Sequence, residues 1–159
     1  MLRNPVKRTL AALALIGLAL PAVAETTVSD AWARATVPQQ QSSGAFMTLT
    51  ASTDSKLLSV ASPVAKTVQL HEMSMKDDVM KMGEVKSVAL PAGKAVSLDP
   101  NGYHVMLMGL NQQLKEGEQV PLTLVVEDAK GVKQTIEVSA PVRALNAQAQ
   151  GHDHQHMKH

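Results

Sequence analysis

The chain contains no cysteine, and that absence removes several function classes at once. Without a thiol there is no disulfide, no cysteine nucleophile, no thiolate zinc site and no copper–thiolate bond of the blue electron-transfer type. Aromatic side chains are almost as scarce: Trp32, Phe46 and Tyr103 are the whole set. Three scattered rings cannot build a base-stacking platform, and no block of lysine or arginine supplies a phosphate-binding stripe, so no nucleic-acid partner is expected. There is no Gly-x-Ser-x-Gly elbow. His71-Glu72-Met73-Ser74-Met75 opens like a zinc-protease motif, but it lacks the second histidine four residues on and sits in a strand pattern. A copper-oxygenase histidine brace would need histidine at the mature start, which is predicted to be Glu25. An enzyme is not expected.

The longest apolar run lies at the N-terminus. Arg3, Lys7 and Arg8 precede an unbroken small and apolar stretch from Thr9 to Leu20, and Pro21-Ala22-Val23-Ala24 gives a small-x-small cleavage site. About a dozen apolar residues are too few to cross a bilayer, so residues 1–24 read as a cleaved secretory signal peptide. A periplasmic protein with no membrane insertion after cleavage follows, and no cysteine is present to carry a lipid. Residues 25–159 keep 12 basic and 14 acidic side chains, a near-balanced surface on a chain long enough for one real core.

No convincing helical period follows the leader. Short alternating runs recur instead: around Trp32, at Ala45–Ala51, at Leu57–Val60, at Thr67–Met73, at Val85–Leu90, at Tyr103–Leu110, at Val120–Val126 and at Ile136–Ala140. Pro100-Asn101-Gly102 suits a tight hairpin with positive φ at Asn-Gly, and Lys76-Asp77-Asp78 reads as a polar loop. Seven or so short strands at close spacing predict an all-β, antiparallel Greek-key sandwich or barrel over residues 25–143. Residues 144–159 read as a polar linker and a tail that cannot build a core.

What the chain does have is soft metal-ligand atoms, crowded into one stretch. Between His71 and Met108 lie two of the six histidines and six of the nine methionines. Thioethers and imidazoles without thiolate select a soft, thiophilic cation, with Cu(I) the leading candidate. Residues two apart on a strand share a face. His71 therefore points with Met73, and His104 with Met106, while Val68, Leu70, Val105 and Leu107 take the opposite, core face. The ligand atoms should then lie on the outer face or rim, in a shallow site near solvent. Methionine is also a common core filler, so the weight rests on the joint pattern.

His71, ten residues, Met82, twenty-one residues and His104-x-Met106 together resemble the signature of the periplasmic copper chaperones of the PCuAC family. Ala31-Trp32-Ala33-Arg34-Ala35-Thr36, Gly44-Ala45, Asp54 with Leu57-Leu58, Val79-Met80-Lys81-Met82, Pro91-Ala92-Gly93 and Leu122-Thr123-Leu124 extend the likeness over roughly Val28 to Val138. The resemblance implies a cupredoxin-like barrel holding one Cu(I) through His71, Met82, His104 and Met106. It also implies delivery to the binuclear copper centre of cytochrome c oxidase, with the oxidase copper subunit or a SCO-type thiol protein as acceptor. Met73 would be an alternative or supporting ligand, and Met80 and Met108 packing or auxiliary groups. Neutral ligands leave such a site cationic, which restrains affinity and eases release to a thiolate.

The tail makes a separate claim. His152, His154, His156 and His159, with Met157 among them, form an imidazole-rich tract suited to Cu(II), Zn(II) or Ni(II), and Asp153 adds a hard oxygen. Capture of Cu(II) is its expected role. The competing function is periplasmic copper sequestration or resistance, and a weaker third is an adhesion-type sandwich with incidental methionines. Oligomeric state is open in the sequence; a monomer is the expectation.

Overall fold

A computed structural model describes residues 24–144. The expected leader, apart from its last residue, and the histidine-rich tail lie outside the described residues. Ten strands follow in order: β1 Thr26–Arg34, β2 Ser42–Ala51, β3 Ser55–Ala61, β4 Ala65–Lys76, β5 Val79–Glu84, β6 Val88–Leu90, β7 Ala95–Leu98, β8 Tyr103–Leu110, β9 Gln119–Asp128 and β10 Lys133–Arg143. There is no helix among the described residues. The all-β expectation holds, with two strands, β5 and β7, beyond the runs that the sequence predicts. β7 is four residues long, too short for alternation to be legible, and β5 is exposed along its whole length, so no apolar alternation marks it.

The strands run β5-β4-β8-β2-β1 and then β10-β9-β3-β6, with β7 paired to β2. All pairings but one are antiparallel. The exception is a short parallel link of β1 to β10 at Ala33–Val142 and Arg34–Arg143, which joins the two halves and makes the sheet mixed. Inward residues alternate most clearly along β9, where Leu122 and Leu124 are fully buried, and Leu49, Leu57, Val105 and Leu107 join them in one core. Burying each such side chain stabilises the fold by about 1.5–3 kcal/mol, which is how the chain dispenses with disulfides.

Two turns differ from expectation, and both bear on the site. Asp77 and Asp78 both have positive φ, at 53° and 62°, so the polar loop is a two-residue hairpin turn joining β4 to β5. Aspartate tolerates that conformation better than most residues. Asn101-Gly102, by contrast, is not a positive-φ hairpin. Asp99 accepts the Asn101 amide through its carboxylate at 2.9 Å, and its carbonyl accepts the Gly102 amide at 3.3 Å. That local capture turns the chain from β7 to β8, at the point where β2 exchanges one neighbour for the other: Met47 faces Leu98 and Ala45 faces Val105.

Candidate metal centre

Strand register gathers the soft donors. His71 of β4 lies directly opposite His104 of β8, and Gln69 lies opposite Met106. On the other side of β4, Met73 faces Met82 of β5. Cross-strand partners share a face, so Met73, Met82, His71, His104 and Met106 all project from the outer face. The inner face of the same strands carries Leu70, Val105 and Leu107. The period-two reading of these strands is met.

The closest approach is between His104 Nε2 and Met82 Sδ, at 3.2 Å. The opposite ring nitrogen, Nδ1, donates to the carbonyl of Gly102 at 3.1 Å, and the same carbonyl accepts the Met73 amide at 3.1 Å. A neutral imidazole with its hydrogen on Nδ1 presents a lone pair at Nε2, so two lone-pair donors face one another across that gap. A tetrahedral ion bound at about 2.0 Å to nitrogen and 2.3 Å to sulfur would hold these atoms about 3.5 Å apart. The observed spacing fits a soft cation with a small adjustment.

His71 is beside this pair, its ring centroid 6.0 Å from that of His104 and tilted by 48°. Its Nε2 donates to Gln69 Oε1 at 2.8 Å, leaving Nδ1 buried with no partner. Such an orphaned acceptor costs about 1–3 kcal/mol unless a cation or donor reaches it. Burial holds the His71 imidazolium below its ordinary value of 6.5, His104 adds to that, and Glu84 opposes it. The neutral, ligating form is therefore favoured at neutral pH.

A cleft of about 290 Å³ opens over the site, walled by Met73, Met82, His104, Met106, Phe46 and Arg34. His71 does not line it. Among the lining residues Arg34 alone carries a formal charge, and no carboxylate is present. Nor does any group of three or more His, Cys, Asp or Glu gather elsewhere among the described residues. Hard dications are poorly served by such a surface; a soft monocation is well served. The expected shallow site is only half right. Met82 is 50% exposed, but His104 is 6% exposed, because Met82 covers it from β5 and the Phe46 wall stands beside it.

The sequence gives no direct sign of that wall. β1 carries a bulge between Ser29 and Trp32, with Asp30 at φ 54°. The extra residue reverses the alternation, so Val28 packs inward before it and Ala33 after it, while Trp32 and Arg34 turn outward. Trp32 then stacks on Phe46 at 4.6 Å, and the Arg34 guanidinium lies 5.4 Å over the same ring. Gly44, opposite Met106, leaves room for that ring: a Cβ there would stand 2.7 Å from Phe46 Cζ. The Trp32-Ala33-Arg34 and Gly44-Ala45 landmarks were the available signals, without the bulge that explains them.

The family described as "Putative lipoprotein LpqE-like" matches residues 26–142, nearly the whole described chain. The chain belongs to the LpqE-like family. A curated relative, "Putative lipoprotein Lxx21020" of Leifsonia xyli subsp. xyli, is 32% identical over 151 residues, 86% of this chain and 89% of that protein. Among solved structures, apo-DR1885 from Deinococcus radiodurans is 32% identical, with a TM-score of 0.55 over 91% of this chain and 93% of that one. CuI-DR1885 is 36% identical, with a TM-score of 0.51 over 80% and 81%. The apo PCuAC domain from PmoF1 shares the fold at 21% identity, with a TM-score of 0.60 over 75% of this chain and 93% of that domain. The likeness to PCuAC domains expected from the sequence holds for the fold, and the family shown for the chain is LpqE-like.

Proposed function

We propose that this LpqE-like protein is an exported, periplasmic copper chaperone that carries Cu(I) on the outer face of β4, β5 and β8. The observation that carries the reading is the 3.2 Å approach of His104 Nε2 to Met82 Sδ inside a methionine-walled cleft. The likeness to CuI-DR1885 supports copper as the cargo. His104, Met82 and Met106 are the ligands already grouped, and His71 completes the set through its unpartnered Nδ1. Met73, across from Met82, is the substitute thioether. Four neutral donors leave Cu(I) its charge, and the Arg34 cation beside them disfavours Cu(II) further. Both effects weaken retention, which suits a carrier that surrenders its ion to a thiolate-bearing acceptor such as a SCO-type protein or the oxidase copper subunit. The tail histidines His152, His154, His156 and His159, with Met157 as an auxiliary donor, capture Cu(II).

Deletion of the gene tests delivery against storage. Delivery predicts low cytochrome c oxidase activity that added copper restores. Normal respiration with heightened copper sensitivity would replace delivery by sequestration.

A further inference from the structure

The hairpin of β4 and β5 carries more thioether than the cleft uses. Met75 and Met80 lie directly opposite one another, one rung beyond the Met73–Met82 pair towards the turn. Residues two apart share a face, so both rungs project with His104. Packing does not explain the outer pair: Met75 is 65% exposed and Met80 50%. β5 is an edge strand, exposed along its whole length. The flanking turn at Asp77 and Asp78 holds the register of the two strands, and with it the opposition of the two sulfurs.

We infer that Met75 and Met80 form a second, outer Cu(I) site, through which the ion enters and leaves the cleft. The inference rests on the copper reading above. Opposed side chains on an antiparallel pair have Cβ atoms about 4.5–5.5 Å apart, within reach of one ion for two flexible thioethers. Successive same-face rungs are about 7 Å apart, so an ion held at Met75 and Met80 is one short step from Met73 and Met82. Met82 Sδ in turn touches His104 Nε2. Transfer along this track is ligand exchange: one thioether replaces another, copper remains Cu(I), and no proton moves because a thioether carries none. Two neutral sulfurs alone bind weakly, as an entry site requires.

The test uses the chain from Glu25 to His159, tail included, with methionine methyl groups labelled for NMR, and Ag(I) as a redox-inert stand-in for Cu(I). The first equivalent should shift the Met82 and Met106 methyls, and the second those of Met75 and Met80. Met75→Leu/Met80→Leu, an exposed and volume-conserving change, should keep cleft affinity within about twofold of the parent. Its loading rate from a Cu(I)–chelator complex should fall about tenfold. Shifts at Met82 and Met106 with no response at Met75 and Met80, or parental loading by the double variant, overturn the outer site alone. Silence at all four methyls overturns the copper reading and the outer site with it.

Discussion

Gly44→Ala sets two effects against each other, and the structure decides the sign. In a strand interior, alanine is ordinarily better than glycine by about 0.5–1 kcal/mol, because glycine has more backbone freedom to lose. Here the new Cβ would stand 2.7 Å from Phe46 Cζ and 3.4 Å from both Cε atoms. Ordinary contact begins near 3.4 Å. The ring cannot swing away freely: Phe46 is 4% exposed, with Trp32 at 4.6 Å and the Arg34 guanidinium at 5.4 Å. Forcing it over costs about 1–3 kcal/mol of overpacking, plus part of an aromatic pair worth about 0.5–1.5 kcal/mol. The net expectation is a loss of about 1–2 kcal/mol, or roughly 3–10 °C in Tm for a domain of this size. The displaced ring also enters the cleft and should weaken Cu(I) binding. Thermal unfolding of Gly44→Ala, Phe46→Leu and the double variant measures the coupling. Once Phe46 is leucine, the alanine should be neutral or stabilising. A stabilising Gly44→Ala in the parent background, or strict additivity, would refute the packing argument.

Two further predictions follow from groups around the core and the site. His71 has a folded pKa below its unfolded 6.5, so the unfolded chain binds more protons between those values. The contribution of neutral His71 is whole above about pH 6.5 and is lost as pH falls through the lowered folded value. Urea unfolding of metal-free protein at several pH values should show this decline, and His71→Gln should flatten it. Thr36 is buried, and its hydroxyl accepts the Leu114 amide at 2.9 Å. Thr36→Val should therefore cost about 1–3 kcal/mol in chemical denaturation, whereas Thr36→Ser, which keeps the oxygen, should cost less.

The sequence made legible whatever depends on period two. His71 with Met73 and His104 with Met106 could be assigned to one face because strand alternation is local, and the opposing Leu70, Val105 and Leu107 confirmed which face was core. The pairing of His71 with His104 is a contact between strands distant in the chain, and no local pattern encodes it. The wall of the cleft was illegible for a related reason. It depends on a bulge at Asp30 that inverts the alternation of β1, so Trp32 and Arg34 face opposite to where an unbroken strand would put them. Turn chemistry misled in both directions. Asn101-Gly102 carries the stronger hairpin signal, yet Asp99 captures the Asn101 amide and diverts the turn, while Asp77-Asp78 forms the positive-φ hairpin with no glycine at all. The Gly102 carbonyl, which fixes the His104 tautomer, is a backbone group with no side-chain signature.

The most direct test of the account is an anaerobic Cu(I) competition titration of the chain from Glu25, beside His104→Ala, Met82→Leu and a version ending at Ala149. One tight Cu(I) is expected in the parent and in the shortened chain. Loss of the His104 nitrogen should weaken it by about 100-fold or more, since changes even to groups behind a ligand cost 10–100-fold. Met82→Leu should weaken it less, because Met73 stands opposite as a substitute sulfur. Parental binding by His104→Ala, with binding abolished only when the tail is removed, would contradict the account and move the protein's copper chemistry to its C-terminus.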